Sequence, residues 1–267
     1  MGRPQNTPHF EKGTNTHIAF VFACPGWLEQ FHKRPAAGDT GQNLHRFLEI
    51  LREWGVPDIP AREQLTITNA HDGVMYSEQD GDTLPSRQQI RQTANLDRLR
   101  KELRRIAGWV VFCGEEAHFA ASLLEGHAPA APSHGIARIR HLGMQSINQE
   151  KTDIFSLPID EETIKRPWHR ARARLEVVAK DLLTQMNLSQ YVPRAENLGR
   201  DIMLAQRAWD ETVIVGPQNL SQAQARLVKR TVKAMNLELV RETPVGDKTL
   251  GTYVASTSNS AAPSQVP

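Results

Sequence analysis

The chain has 267 residues with 39% apolar and 23% charged content, near globular averages, which excludes wholesale disorder and allows one or two domains at about 150 residues each. Its 32 Lys and Arg against 30 Asp and Glu leave a net charge of +2, so any polyanion partner has to be read from where charge is placed. Two cysteines, Cys24 and Cys113, cannot form a four-ligand zinc or iron–sulfur site, and no apolar run approaches a membrane span. No secretory leader is evident, so a soluble cytoplasmic chain with reduced thiols is expected.

In chain order, residues 1–16 are polar and read as a flexible lead-in. His17 to Cys24 is a short Phe/Val/Ile run closed by Pro25-Gly26, the pattern of a buried strand. After Gly38-Asp39-Thr40-Gly41, Leu44, Phe47, Leu48 and Leu51 recur at helical spacing until Gly55 and Pro57. Leu65 to Asn69 is a second strand, followed by a polar loop to Pro85. Ser86, with Gln89 in a capping-box position, opens a predicted helix to about Ile106. Gly108 to Cys113 is a third strand, Gly114 to Leu124 a helix, Ile136 to His141 a fourth strand, and Trp168 to Met186 a final helix.

Strands alternating with helices predict an α/β three-layer sandwich around a mostly parallel four-stranded sheet over residues 17–192. Ligands of such sheets bind beyond the carboxyl ends of the strands. Residues 193–255, with strand runs at 212–216, 237–241 and 250–255 and a helix at 221–235, read as a small α/β unit. Residues 256–267 have the composition of a disordered tail.

Four strand-end segments carry the candidate chemistry: Ala23 to Glu29, Gly38 to Gly41, Thr68 to Asp72, and His141 to Asn148. Each has a plain reading as a turn, a helix cap or a pocket wall. Their order resembles the uracil-DNA glycosylase superfamily. Pro25-Gly26 with Glu29 is similar to the Pro-Gly-x-x-Glu of its thermophilic branch, and Gly38 to Gly41 with Leu44 to its Gly-x-x-Gly-x-x-Leu. Asn69 resembles its base-reading strand-end Asn, and Val111 to Ala117 its strand-to-helix junction. The chain departs from that branch at Ala23 and Cys24, where relatives carry an acidic residue or cluster cysteines. It departs again at His141-Leu142-Gly143, where many read His-Pro-Ser.

The resemblance implies an enzyme that flips a pyrimidine out of DNA and hydrolyses its N-glycosidic bond, leaving an abasic site, without metal or cofactor. Such a bond breaks through an oxocarbenium-like sugar, so a carboxylate is needed beside it and a donor is needed for charge on the leaving base. Branches without an acidic residue at the position of Cys24 use an Asp in the Gly-x-x-Gly turn, which implies Asp39 as the first catalytic candidate, with Glu29 beside it. His141 is the implied donor. Asn69 reads the base, and Phe22, Cys24, Pro25, Gly26, Trp27 and His71 form the surrounding pocket. Met144, Gln145 and Ser146 follow the wedge loop, where Leu142 or Met144 would enter the vacated duplex position. The strict uracil enzymes place Tyr where this chain has Gly26, so a cytosine substituted at C5 fits the implied opening. Glucosylated hydroxymethylcytosine of phage DNA, the target of some antiphage members, is therefore an expected substrate beside uracil.

Basic residues concentrate at 86–105 and 165–174, where Arg166, Arg170 and Arg172 are expected to meet phosphates of single- or double-stranded DNA. A monomer is expected. Two other classes stay open: a catalytically inactive DNA-binding module of the same fold, and an enzyme acting on free nucleotides.

Overall fold

The computed structural model describes residues 7–125, 135–161 and 164–193, and beyond them the strands at 203–207, 211–217, 237–245 and 248–255. The chain divides into two compact units at Val192/Pro193.

The first unit is built on a mixed five-stranded sheet. Its strands are β1 (Phe10–Glu11), β2 (Ile18–Phe22), β3 (Thr66–Asn69), β4 (Trp109–Cys113) and β5 (Gly135–Ile139), in the order β1-β3-β2-β4-β5. β2, β3, β4 and β5 run parallel. β1, two residues inside the stretch expected to be a lead-in, adds an antiparallel edge with Phe10 opposite Thr68. The sheet therefore has five strands where four were expected. All five residues of β2 are buried, which suits a central parallel strand covered on both faces.

Helices cover the two faces. On one, Ala19, Val21, Val110 and Phe112 share a core with α4 (Arg87–Arg91), α5 (Thr93–Leu103) and α6 (Glu115–Glu125). On the other, Phe20 meets Phe47 edge-on, with ring centroids 6.3 Å apart, on α2 (Asp39–Glu53). α2 in turn packs against α8 (Pro167–Gln185). Short helices α1 (Trp27–His32), α3 (Ser77–Asp80) and α7 (Met144–Ile147) sit in the loops that follow β2, β3 and β5. This is an α/β sandwich.

The single helix expected over 86–106 is two helices. Ser86 caps α4 as its spacing predicts, with Oγ accepting from the Gln89 N–H at 3.3 Å. Gln92 then adopts an extended ψ of 131°, and Asn95 Nδ2 donates to the carbonyls of Ile90 and Ala70, tying the break to the loop after β3.

The second unit contains β6 (Met203–Arg207), β7 (Glu211–Pro217), β8 (Leu237–Val245) and β9 (Lys248–Ala255), an antiparallel sheet in the order β6-β7-β9-β8. β6 was not expected from sequence. The helix expected at 221–235 and the tail at 256–267 lie outside the described residues. Among the described residues no helix is long and apolar enough to cross a membrane.

Candidate functional site

β2 and β3 end side by side, with Phe22 opposite Asn69 in register. The chain continues the pairing as far as His71, since Ala70 N–H donates to the Phe22 carbonyl at 2.7 Å and His71 N–H to the Ala23 carbonyl at 3.0 Å. Beyond these ends lies a cleft of about 170 Å³ lined by Phe22, Ala23, Cys24, Gly26, Glu29, Ala36, Thr40, Asn69, Met75, Thr83, Leu84 and His141. It stands where an open parallel sheet binds its ligands. Its volume is below the roughly 300–1,000 Å³ of sites for drug-sized ligands and suits one heterocycle.

Asn69 is 2% exposed, and its Oδ1 is buried without any hydrogen-bond donor. An unmet buried acceptor costs about 1–3 kcal/mol, so the fold keeps at this strand end an oxygen that a ligand donor would satisfy. Its backbone is held in place by Arg98, which donates to the Asn69 carbonyl at 2.9 Å.

Glu29 is the one carboxylate among the lining residues. Its Oε2 accepts from the Gly26 N–H and its Oε1 from the Ala37 N–H, each at 3.0 Å. The carboxylate thus closes the loop between α1 and α2 while remaining on the cleft wall. A Cβ at Gly26 would stand 3.2 Å from Glu29 Oε2, so a larger residue there would press directly on this group.

His141 follows β5 and lies edge-on to Phe22, with centroids 5.8 Å apart at 80°. Gly143 N–H donates to its Nδ1 at 3.0 Å. That bond requires Nδ1 to be an acceptor, so the neutral ring carries its proton on Nε2. Burial pushes the imidazole below its ordinary range, with the Glu29 carboxylate pulling weakly upward. Two glycines make room for the ring. A Cβ at Gly143 would fall 2.8 Å from Nδ1, and one at Gly114, itself at φ +94°, would fall 3.1 Å from the His141 Cβ.

Cys24 is held as a thiol, pushed up to about 12 by burial and by the carboxylates of Glu116 and Glu29. Its S–H points to the Thr83 carbonyl at 3.5 Å. It is a wall of the cleft without thiolate character.

The structure thus brings Phe22, Cys24, Gly26, Glu29, Asn69 and His141 together on one cleft wall. Pro25 is buried beneath it, its carbonyl accepting from the Met75 N–H at 2.9 Å. Asp39 stands elsewhere: it is the first residue of α2, exposed, and Thr40 takes its place in the cleft. One helical residue is about 100° of rotation, and a carboxylate in a first turn is favoured by the helix dipole facing solvent. Trp27 is 54% exposed and turned outward onto Phe31. The His71 ring sits beside Asp72, with Nδ1 3.8 Å from Oδ1, and does not line the cleft.

Leu142 is fully buried, its carbonyl accepting from Asn43 Nδ2 at 2.7 Å, which removes it as a wedge. Met144 is half-buried with its sulfur 3.4 Å from the same Nδ2, Ser146 is half-buried, and Gln145 is exposed.

Of the expected phosphate ligands, Arg166 is exposed. Arg170 and Arg172 are not free: Arg170 binds Glu161 and the carbonyls of Ile164 and Lys165, and Arg172 binds Glu53 and the buried Glu176. The segment before α8, helix α2 and α8 itself place acids or carbonyls opposite Arg170 and Arg172, a pairing that a count of basic residues in sequence does not register.

Ala36, Met75, Thr83 and Leu84 were missed by the sequence reading, since they arrive from loops with no periodicity, and Thr40 lines the cleft from α2 in the segment where Asp39 was expected. Among the described residues no three His, Cys, Asp or Glu side chains are grouped as metal ligands. No family model and no curated protein sequence matches this chain.

Proposed function

We propose that the chain is a monofunctional DNA glycosylase of the uracil-DNA glycosylase kind, which takes a pyrimidine base into the cleft beyond β2 and β3 and hydrolyses its N-glycosidic bond. The observation that carries the reading is Asn69, whose Oδ1 is buried without a partner and which lines a cleft that also holds Glu29 and His141. Uracil N3–H and the cytosine 4-amino group are both donors suited to that oxygen.

The geometry supports a role for each residue. Asn69 binds the edge of the base, and Phe22 supplies an aromatic wall. Glu29, fixed by two backbone N–H groups, places negative charge beside the sugar as it becomes oxocarbenium-like and orients the attacking water. His141, neutral with its proton on Nε2, donates to the oxygen of the departing base as charge builds there. Glu29 replaces Asp39 as the carboxylate of this mechanism, because Asp39 is outside the cleft. Gly26 leaves one side of the cleft without a side chain, which accommodates a C5 substituent and keeps modified cytosine beside uracil as the target.

The test is single-turnover incubation with oligonucleotides bearing uracil, hydroxymethylcytosine or its glucosylated form, with abasic sites revealed by hot alkali. Alkali-dependent breaks at one of these bases support the proposal and identify the target. DNA bound with every base intact would instead make the chain a catalytically inactive binding module.

A further inference from the structure

Outside the cleft, α1 presents an apolar surface to solvent. Trp27 and Phe31, one turn apart, are 54% and 68% exposed, and their rings stack with centroids 5.6 Å apart at 16°. His32 lies edge-on to Phe31 at 5.0 Å, and the chain then turns through the exposed cations Lys33 and Arg34.

Arg34 leads into a second cleft, of about 380 Å³, also lined by Arg46 and Arg62. Ala36 lines both this cleft and the smaller one, so the two adjoin across the segment that Glu29 fixes. Arg62 is 5% exposed and bound to Glu11 and the Pro35 carbonyl, yet its Nε is buried without a partner. Arg34 and Arg46 have no carboxylate within salt-bridge distance among the described residues. Of the acids on this cleft wall, Glu49 is engaged by His45 at 3.3 Å, and Glu63 is exposed to water.

We propose that this strip is a track for a single strand of DNA flanking the base cleft. Unpaired bases stack on the Trp27–Phe31 pair, and the backbone passes to Arg34 and Arg46. The inference rests on the glycosylase reading and adds the substrate class to it. Aromatic faces beside cations without a carboxylate partner are the combination that holds single strands, because every base offers a π-face and every nucleotide a phosphate. In a duplex those faces are covered by neighbouring base pairs, so exposed rings discriminate in favour of the unpaired strand. The adjacent cations favour a polyanion over an apolar protein partner.

The test is fluorescence anisotropy of the full chain with a labelled oligothymidylate and with a hairpin duplex, neither carrying an excisable base, over a range of salt. The wild type is expected to bind the single strand more tightly. The double variant W27A/F31A is expected to weaken that binding about tenfold or more, the loss of stacked bases, and Phe31→Tyr, which keeps an aromatic face, to retain most of it. R34A/R46A is expected to flatten the log–log salt dependence by about 1.4, at roughly 0.7 per single-strand phosphate. Trp27, Phe31 and Arg34 are exposed and Arg46 is half-buried, and circular dichroism of each variant checks folding.

Equal affinity for both DNAs, or an unchanged affinity in W27A/F31A, would overturn the track, as would a wild-type dimer that F31A disperses in sedimentation velocity. A wild type that releases base while these variants bind normally refutes the track alone. One that binds through these residues but releases no base refutes the glycosylase reading alone.

Discussion

Gly143 N–H donates to His141 Nδ1 at 3.0 Å, and the residue that makes this bond is also one that cannot carry a side chain, since a Cβ would sit 2.8 Å from the same nitrogen. A loop residue thereby decides which nitrogen of the histidine holds the proton. His141→Ala is expected to slow base release by about 10²–10³, the loss typical of one donor at a developing anion. Gly143→Ala is expected to slow release as well, by displacing the ring. Single-turnover rates at saturating enzyme measure both.

Asn69→Leu is expected to separate stability from function. Removing a buried acceptor that meets no donor lifts a penalty of about 1–3 kcal/mol, so the melting temperature should hold or rise, while affinity for the base falls about 10- to 100-fold. Thermal melts and binding of a non-hydrolysable substrate analogue give the two readings.

Two carboxylates compete for the proposed catalytic role, and of the two only Glu29 lines the cleft. Glu29→Gln loses the charge on the cleft wall and weakens the bonds to Gly26 and Ala37, so release should fall at least 10²-fold and the melting temperature by several degrees. Asp39→Asn, at an exposed helix start, should change the rate by no more than about twofold, as surface substitutions do.

Acid should destabilise the fold through two imidazoles. Burial lowers both His141 and His71 from the ordinary value of 6.5, so the unfolded chain takes up protons that the folded chain refuses. The stability they contribute is present in full above that value and is lost as pH falls below it. Melting temperature against pH should therefore drop on the acid side, and His141→Gln should flatten the slope.

Cys24, with its thiol near 12, should resist alkylation by iodoacetamide at neutral pH, and Cys24→Ala should retain base release. Rapid labelling of the folded chain at Cys24 would contradict the protonated thiol.

The strands were legible because a run such as Ile18 to Phe22, apolar at every position, has few other places to go than the middle of a parallel sheet. The helical stripes of α2 and α8 were equally plain, and Ser86 with Gln89 announced its cap. What escaped was set by contacts distant in sequence. The break at Gln92 depends on Asn95 bonding to Ala70, and β1 is two residues that owe their strand geometry to Thr68 and Ile67. At the site, strand ends pointed to Phe22, Asn69 and His141. Helix phase exchanged Asp39 for Thr40, and the loop after β3 supplied Met75, Thr83 and Leu84 without a pattern to announce them. The pairing within the basic run was equally hidden, because charge in sequence does not show that Arg172 meets Glu53 and Glu176.

The central claim is that the cleft at Asn69 breaks an N-glycosidic bond and nothing else. Its most direct test is a mass balance on one DNA carrying the preferred base: free base by mass spectrometry, abasic sites by aldehyde labelling, and intact strands before alkali treatment. The account predicts one free base per abasic site with unbroken strands, and far less of both products from Glu29→Gln and Asn69→Leu over the same time. Strand breaks without alkali, or equal base release by both variants, would contradict it.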